Sequence, residues 1–174
     1  FYNVDESYKE FSVILTAPSK TFNLAGLQTS NIIIANEKLR KVYQETMNRY
    51  GVNEPNFLGI IACMTAYNEC ELWVDEMLEY VYDNFTYFDE FLKENLPHIH
   101  LVKPEGLYLG WVDFRECGLN KDELEKTMLE KAGLWLDEGY IFGTGGEGFE
   151  RFNLAIPRSV LEDACQRLLK AFGK

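Results

Sequence analysis

The sequence has no apolar run long enough to cross a bilayer, no CxxC pair and no excess of basic residues. Each absence removes a class of function. Without about 20 consecutive apolar residues, no membrane-spanning helix is expected. With 17 Lys+Arg against 28 Asp+Glu, the formal net charge of −11 argues against nucleic acid or an anionic membrane as the main partner. The four cysteines, Cys63, Cys70, Cys117 and Cys165, follow no repeating pattern, and no secretory leader accompanies them. They read as buried free thiols. The two histidines, His98 and His100, could share a strand face, but no thiol or acid stands close enough in sequence to complete a metal set. No metal site is expected. The chain opens on Phe1, without methionine or a targeting segment, and shows no internal repeat or low-complexity stretch.

What is present is a chain of 174 residues with 47% hydrophobic content, enough for a real core. Phe11 to Leu15 reads as a buried strand that gives way at Pro18 to a loop. Ser30 to Ala35, with Ile32, Ile33 and Ile34 in a row, suits a strand buried on both faces. Asn36 can cap a helix from Glu37 to Tyr50, stopped by Gly51, and a second helix is expected over about 56–67. The longest periodic segment runs from Glu71 to about Asn95. Val74, Leu78, Val81, Phe85, Phe88 and Leu92 fall there on one helical stripe, which is read as core.

The remainder alternates. A strand is expected over 107–114, followed by a helix capped by Asn120 and Glu123 and reaching about Ala132. Short extended pieces are expected at Leu134–Leu136 and Tyr140–Phe142, with a mobile or tight loop at 143–148. Phe149 to Ala155 should be a strand with Phe152 and Leu154 on one face. Ser159 with Glu162 should open a last helix that turns Leu161, Cys165, Leu168 and Phe172 inward. That order defines an α+β layer of its own.

Two stretches carry chemistry. The loop Thr16-Ala17-Pro18-Ser19-Lys20-Thr21-Phe22-Asn23-Leu24-Ala25-Gly26-Leu27 holds one lysine among small and hydroxylated residues. A loop lysine is ordinarily solvated surface, whereas one held against packed backbone can lose its charge and attack a carbonyl as a neutral amine. The stretch Gly143-Thr144-Gly145-Gly146-Glu147-Gly148-Phe149-Glu150-Arg151-Phe152-Asn153 places an arginine on a predicted strand. Alone, Arg151 reads either as a surface partner of Glu147 or Glu150, or as a bidentate grip on a carboxylate. Tyr108 and Trp111, strand aromatics, are read as core.

Pro18 to Leu27 resembles the cofactor-lysine segment of fold-type I pyridoxal-phosphate enzymes, and in particular the cystathionine β-lyase-like C–S lyases of the class I/II aminotransferase family. The stretch from Gly143 to Arg158 resembles the same family's C-terminal signature. The resemblance implies an α/β fold: the C-terminal remnant of a transferase large domain over residues 1–70, then a linking helix and an α+β small domain over 71–174. It implies pyridoxal 5'-phosphate as cofactor, held covalently by Lys20, with Ser19 and Thr16 at its phosphate. It implies Arg151 on the α-carboxylate of a small amino-acid substrate, serving one site with Lys20. The implied chemistry is α,β-elimination from cystathionine or an S-substituted cysteine, with an aminotransferase as the alternative. A cytoplasmic homodimer follows from the same likeness. One departure stands out: many aminotransferases carry a phosphate-pairing arginine eight residues after the lysine, and here that position is Gln28. The family's N-terminal cofactor residues lie outside these 174 residues, so the chain is expected to be the rear part of such an enzyme and inactive alone. A non-catalytic interaction module is the rival from another class.

Overall fold

The computed structural model describes residues 1–173. They form two compact units, Phe1–Asp75 and the chain from Glu76 onward, each described by itself.

In the first unit, strands β1 (Ile14–Thr16) and β2 (Asn31–Ile33) pair antiparallel, with Ile14 opposite Ile33 and Thr16 opposite Asn31. Both are shorter than expected, and neither is buried. Phe11, Val13, Leu15, Ile32 and Ile33 are exposed, and only Ile34, just past β2, is enclosed. Apolar sequence gives a strand the capacity for burial, but burial needs covering layers, and two strands alone supply none. Helix α1 (Glu37–Tyr50) starts where Asn36 accepts the Leu39 N–H and ends at Gly51 in the left-handed region, as the sequence indicated. Helix α2 (Phe57–Glu69) is capped by Asn56 and runs one short step beyond its expected end. Gly59 lets α2 approach the segment after the lysine loop. A Cβ there would lie 1.9 Å from the Thr29 hydroxyl and 3.1 Å from the Leu27 carbonyl oxygen.

Helix α3 (Glu71–Asn95) has the expected length and begins in the first unit. Of its apolar stripe, Val81, Phe85, Phe88 and Leu92 are buried, whereas Leu78 is exposed and Val74 half-buried. The second unit then adds β3 (His100–Val102), β4 (Leu109–Asp113), α4 (Lys121–Lys126), β5 (Asp137–Glu138), β6 (Phe149–Asn153) and α5 (Arg158–Phe172). The strands form one antiparallel sheet in the order β3-β4-β6-β5. Gly110, Val112, Glu150 and Phe152 lie on its buried face. Phe88 meets Phe152 at 5.2 Å between ring centroids, and Phe114 meets Phe172 at 5.2 Å. One sheet face is thus sealed by α3 and α5, the α+β layering the sequence indicated.

Several local readings are corrected. His98 lies in a turn and His100 opens β3, so the two do not share a strand. The Asn120–Glu123 capping box forms, but the helix it opens changes to a π-wound turn over Thr127–Ala132 before Gly133 stops it. Gly139–Phe142 is a 3₁₀ turn rather than extended, because Gly139 must pass another backbone segment there. The Ser159–Glu162 box does not form. The helix begins one residue earlier, after Pro157, and the Arg158 N–H donates 2.7 Å to the Tyr80 hydroxyl. A tyrosine from α3 thus satisfies an N–H that a local cap would otherwise take. Of the four cysteines expected to be buried, only Cys165 is; the others are half-buried. Burial pushes the Cys165 thiol up to about 12.

Gly59→Ala should cost about 1–3 kcal/mol in urea unfolding. Adding Thr29→Ala should recover part of that loss but not all, since the Leu27 carbonyl remains in the way.

Candidate active site

The lysine loop is closed by its own backbone. Pro18 is buried; its carbonyl accepts the Phe22 N–H at 2.9 Å, and the Ser19 carbonyl accepts the Leu24 N–H at 3.0 Å. Asn23 ends this single helical turn at φ 54, a left-handed position that asparagine tolerates. Phe22 anchors the turn, edge-on to Tyr67 at 5.4 Å and stacked on Trp73 at 6.5 Å. With the backbone bonded to itself, the side chains remain available. Thr16 and Lys20 are exposed and Ser19 is half-buried. Among the described residues, the Thr16 and Ser19 hydroxyls and the Lys20 amine have no hydrogen-bond partner. An amine beside two uncommitted hydroxyls fits a phosphorylated carbonyl compound, the hydroxyls serving the phosphate. Gln28 is exposed at φ 50 after a 3₁₀ turn, and its amide adds no charge.

Arg151 lies on β6 in the second unit, on the sheet face opposite the core. Register sets it across from Trp111 on β4 and Asp137 on β5. Its Nε and Nη2 both donate to Asp137 Oδ2, and its Cζ sits 4.7 Å from the centroid of the Phe142 ring. Trp111 joins the aromatics of this face, stacked on Phe149 at 5.4 Å and edge-on to Phe142 at 5.7 Å. Arg115 lies over Phe149 at 4.7 Å and pairs with Asp113, holding that carboxyl below its usual range. Arg151 pairs with neither Glu147 nor Glu150. Glu147 is exposed and forms no ion pair with it, while Glu150 faces the core.

Glu150 is 2% exposed, and its Oε2 has no hydrogen-bond partner among the described residues. Burial, then the nearby Glu138, Glu125 and Asp137 carboxylates, push its carboxyl up to about 8. Beyond Arg151, Asn84 of α3 donates to the Leu154 and Ile156 carbonyls at 2.8 and 2.9 Å, pinning the exit of the arginine strand.

Thr16, Ser19 and Lys20 therefore share one loop of the first unit, and Arg151 belongs to the second. Sequence reasoning did not find Asp137 or Phe142. Asp137 is fourteen positions from Arg151, and only strand register brings the two together. Trp111, read as core, is half-buried on the arginine's face. His98 is half-buried; His100 is exposed, its Nε2 3.4 Å from Glu116. No cluster of three or more His, Cys, Asp or Glu arranged to hold a metal occurs among the described residues. No described helix is long and apolar enough to cross a membrane.

Comparison with known proteins gives first the class. No protein-family model matches the chain. Solved structures do: cystalysin from Treponema denticola, which contains a pyridoxal 5'-phosphate cofactor, superposes with a TM-score of 0.93 at 40% identity, covering 98% of this chain and 43% of that one. The structure is the C-terminal part of the pyridoxal-phosphate-dependent transferase fold. The particular relatives are then plain. Cystathionine beta-lyase PatB of Bacillus subtilis (strain 168) is 36% identical over 173 residues, 99% of this chain and 45% of its own length. Protein MalY of Escherichia coli (strain K12) is 32% identical over 91% of this chain and 41% of its own length. The chain is homologous to the C-terminal part of the cystathionine β-lyases and spans less than half the length of the relatives it matches.

The buried acid gives a pH test. Below about pH 4.5 the Glu150 carboxyl is protonated whether the chain is folded or not, and it leaves stability unchanged. Between there and about 8 the unfolded chain sheds the proton that the folded chain keeps, so stability falls as pH rises. Glu150→Gln should flatten that slope and stabilise the protein at pH 8 by about 2–4 kcal/mol, read by urea unfolding at pH 5 and 8.

Proposed function

We propose that this chain supplies the cofactor lysine and the carboxylate-binding arginine of a pyridoxal-phosphate-dependent C–S β-lyase. The observation that carries this reading is the lysine loop: its Pro18 and Ser19 carbonyls accept N–H groups of the same loop, while the Lys20 amine and the Ser19 and Thr16 hydroxyls are uncommitted. The lyase relatives, matched across nearly the whole chain, support it. Lys20 would hold the cofactor covalently, with Ser19, and secondarily Thr16, placed to donate to its phosphate. Bound there, the cofactor supplies an electron sink for negative charge at the substrate's Cα. The released Lys20 amine takes the α-proton and later returns one. Arg151 grips the α-carboxylate with a planar guanidinium, a role a lysine cannot reproduce. With one water, an S-substituted cysteine such as cystathionine yields a thiol, pyruvate and ammonia.

Residues 1–70 are read as part of the large domain, and 71–174 as the linking helix and small domain. A compact unit ending at Asp75 supports that reading. We place the protein in the cytoplasm as a homodimer. The apolar residues exposed along β1 and β2 support self-association. An aminotransferase is the second reading; an aspartate aminotransferase from Pyrococcus horikoshii also matches, at 24% identity. Against a non-catalytic module stands the presence of both chemical positions, Lys20 and Arg151.

When the whole protein is incubated with pyridoxal phosphate and reduced with borohydride, the adduct should map to the peptide holding Lys20. An adduct confined to Lys38 or Lys103 overturns the reading. Cystathionine should yield pyruvate and thiol in equal amounts, and Lys20→Ala should lower that rate by about 10²–10⁴-fold. Amino transfer to a keto acid without pyruvate release would favour the aminotransferase. Light scattering on the 174-residue chain should give a mass above the 20.2 kDa monomer.

A further inference from the structure

We propose that Asp137 is a positioning residue for Arg151, fixing the guanidinium so that one edge stays open to a substrate carboxylate. The inference rests on the reading of Arg151 as the carboxylate anchor and extends it to a residue outside that assignment.

Three observations carry it. First, Asp137 spends a single oxygen, Oδ2, on two donors of Arg151, Nε and Nη2. Nη1 has no partner among the described residues, so the Nη1/Nη2 edge can still receive a carboxylate in the bidentate geometry guanidinium favours. Second, the Phe142 ring covers one face of the guanidinium at 4.7 Å, so the plane as well as the edge is set. Third, Asp137 is held by backbone. It is paired opposite Arg151 in β5, and two residues on the chain passes Gly146 so closely that a Cβ on Gly139 would lie 2.1 Å from the Gly146 carbonyl oxygen. In return, a Cβ on Gly146 would lie 1.9 Å from the Gly139 carbonyl oxygen. The strand that bears Asp137 is thereby packed against a second backbone segment two residues on. A carboxylate that merely plugged the arginine would need to leave when substrate arrived, and one built into a paired strand is poorly placed to leave.

The test uses the whole protein loaded with pyridoxal phosphate, titrated with L-alanine and with its carboxamide and followed by cofactor absorbance. Asp137→Ala should weaken L-alanine binding by about 10–100-fold and leave the carboxamide unaffected, since misplacement of a positioning group costs that much. Asp137→Asn should restore most of the loss, because its amide oxygen still accepts from Nε and Nη2. In the nitrogen-edited spectrum of the chain, the Arg151 Nε–H should exchange slowly in the native protein and in Asp137→Asn, and rapidly in Asp137→Ala. Tighter L-alanine binding in both variants would make Asp137 a plug and overturn the proposal. Equal losses for both ligands would make its role merely structural and overturn the proposal as well. Arg151→Ala separates the two levels. If it abolishes the preference for carboxylate while Asp137→Ala keeps it, the role of Asp137 alone fails; if the preference survives Arg151→Ala, the carboxylate reading itself fails.

Discussion

The pairing of β6 between β4 and β5 is the constraint on which the second unit depends. Side chains on a strand alternate faces, so one register assigns every residue from Phe149 to Asn153 at once. Glu150 and Phe152 go to the core, and Phe149 and Arg151 to the open face. A slip by one position would bury the arginine and expose the phenylalanine that meets Phe88. The same register sets Arg151 against Asp137 and Trp111, so the core's demand for Phe152 also orients the guanidinium.

That arrangement carries a cost in Glu150. An acid on the core face, with Glu138 paired opposite, has its proton affinity raised by burial and by the carboxylates around it. Hydrophobic patterning alone would place an apolar residue there. Natural sequences depart from local rules mostly near sites, and this departure sits beside Arg151, the proposed carboxylate anchor.

The lysine loop follows a different logic. It depends on no sheet register and is closed by bonds between residues at most five apart, with Asn23 at its left-handed end and Phe22 pinned to Tyr67 and Trp73. Because these short-range bonds involve backbone groups alone, the loop leaves its amine and hydroxyls uncommitted. The strands flanking it remain exposed, which is why runs that read as buried from composition are not buried in this chain.

Several local signals were legible. Asn36 and Gly51 bounded α1, Asn120 and Glu123 opened α4, and the periodicity of 71–95 measured α3, because caps and stripes are made within a few residues of sequence. The lysine and the arginine proposed for the site were singled out through the residues beside them. The sequence by itself thus determined the extents of α1 and α3 and the α+β order of the second half, and it marked Lys20 and Arg151 as the candidate chemical positions. Tertiary structure alone decided the exposure of β1 and β2, the Tyr80 cap of α5, the raised proton affinity of Glu150 and the Asp137–Phe142 mount of Arg151. Each of these is a relation between residues far apart in the chain, fixed by strand register and close packing rather than by any local spacing.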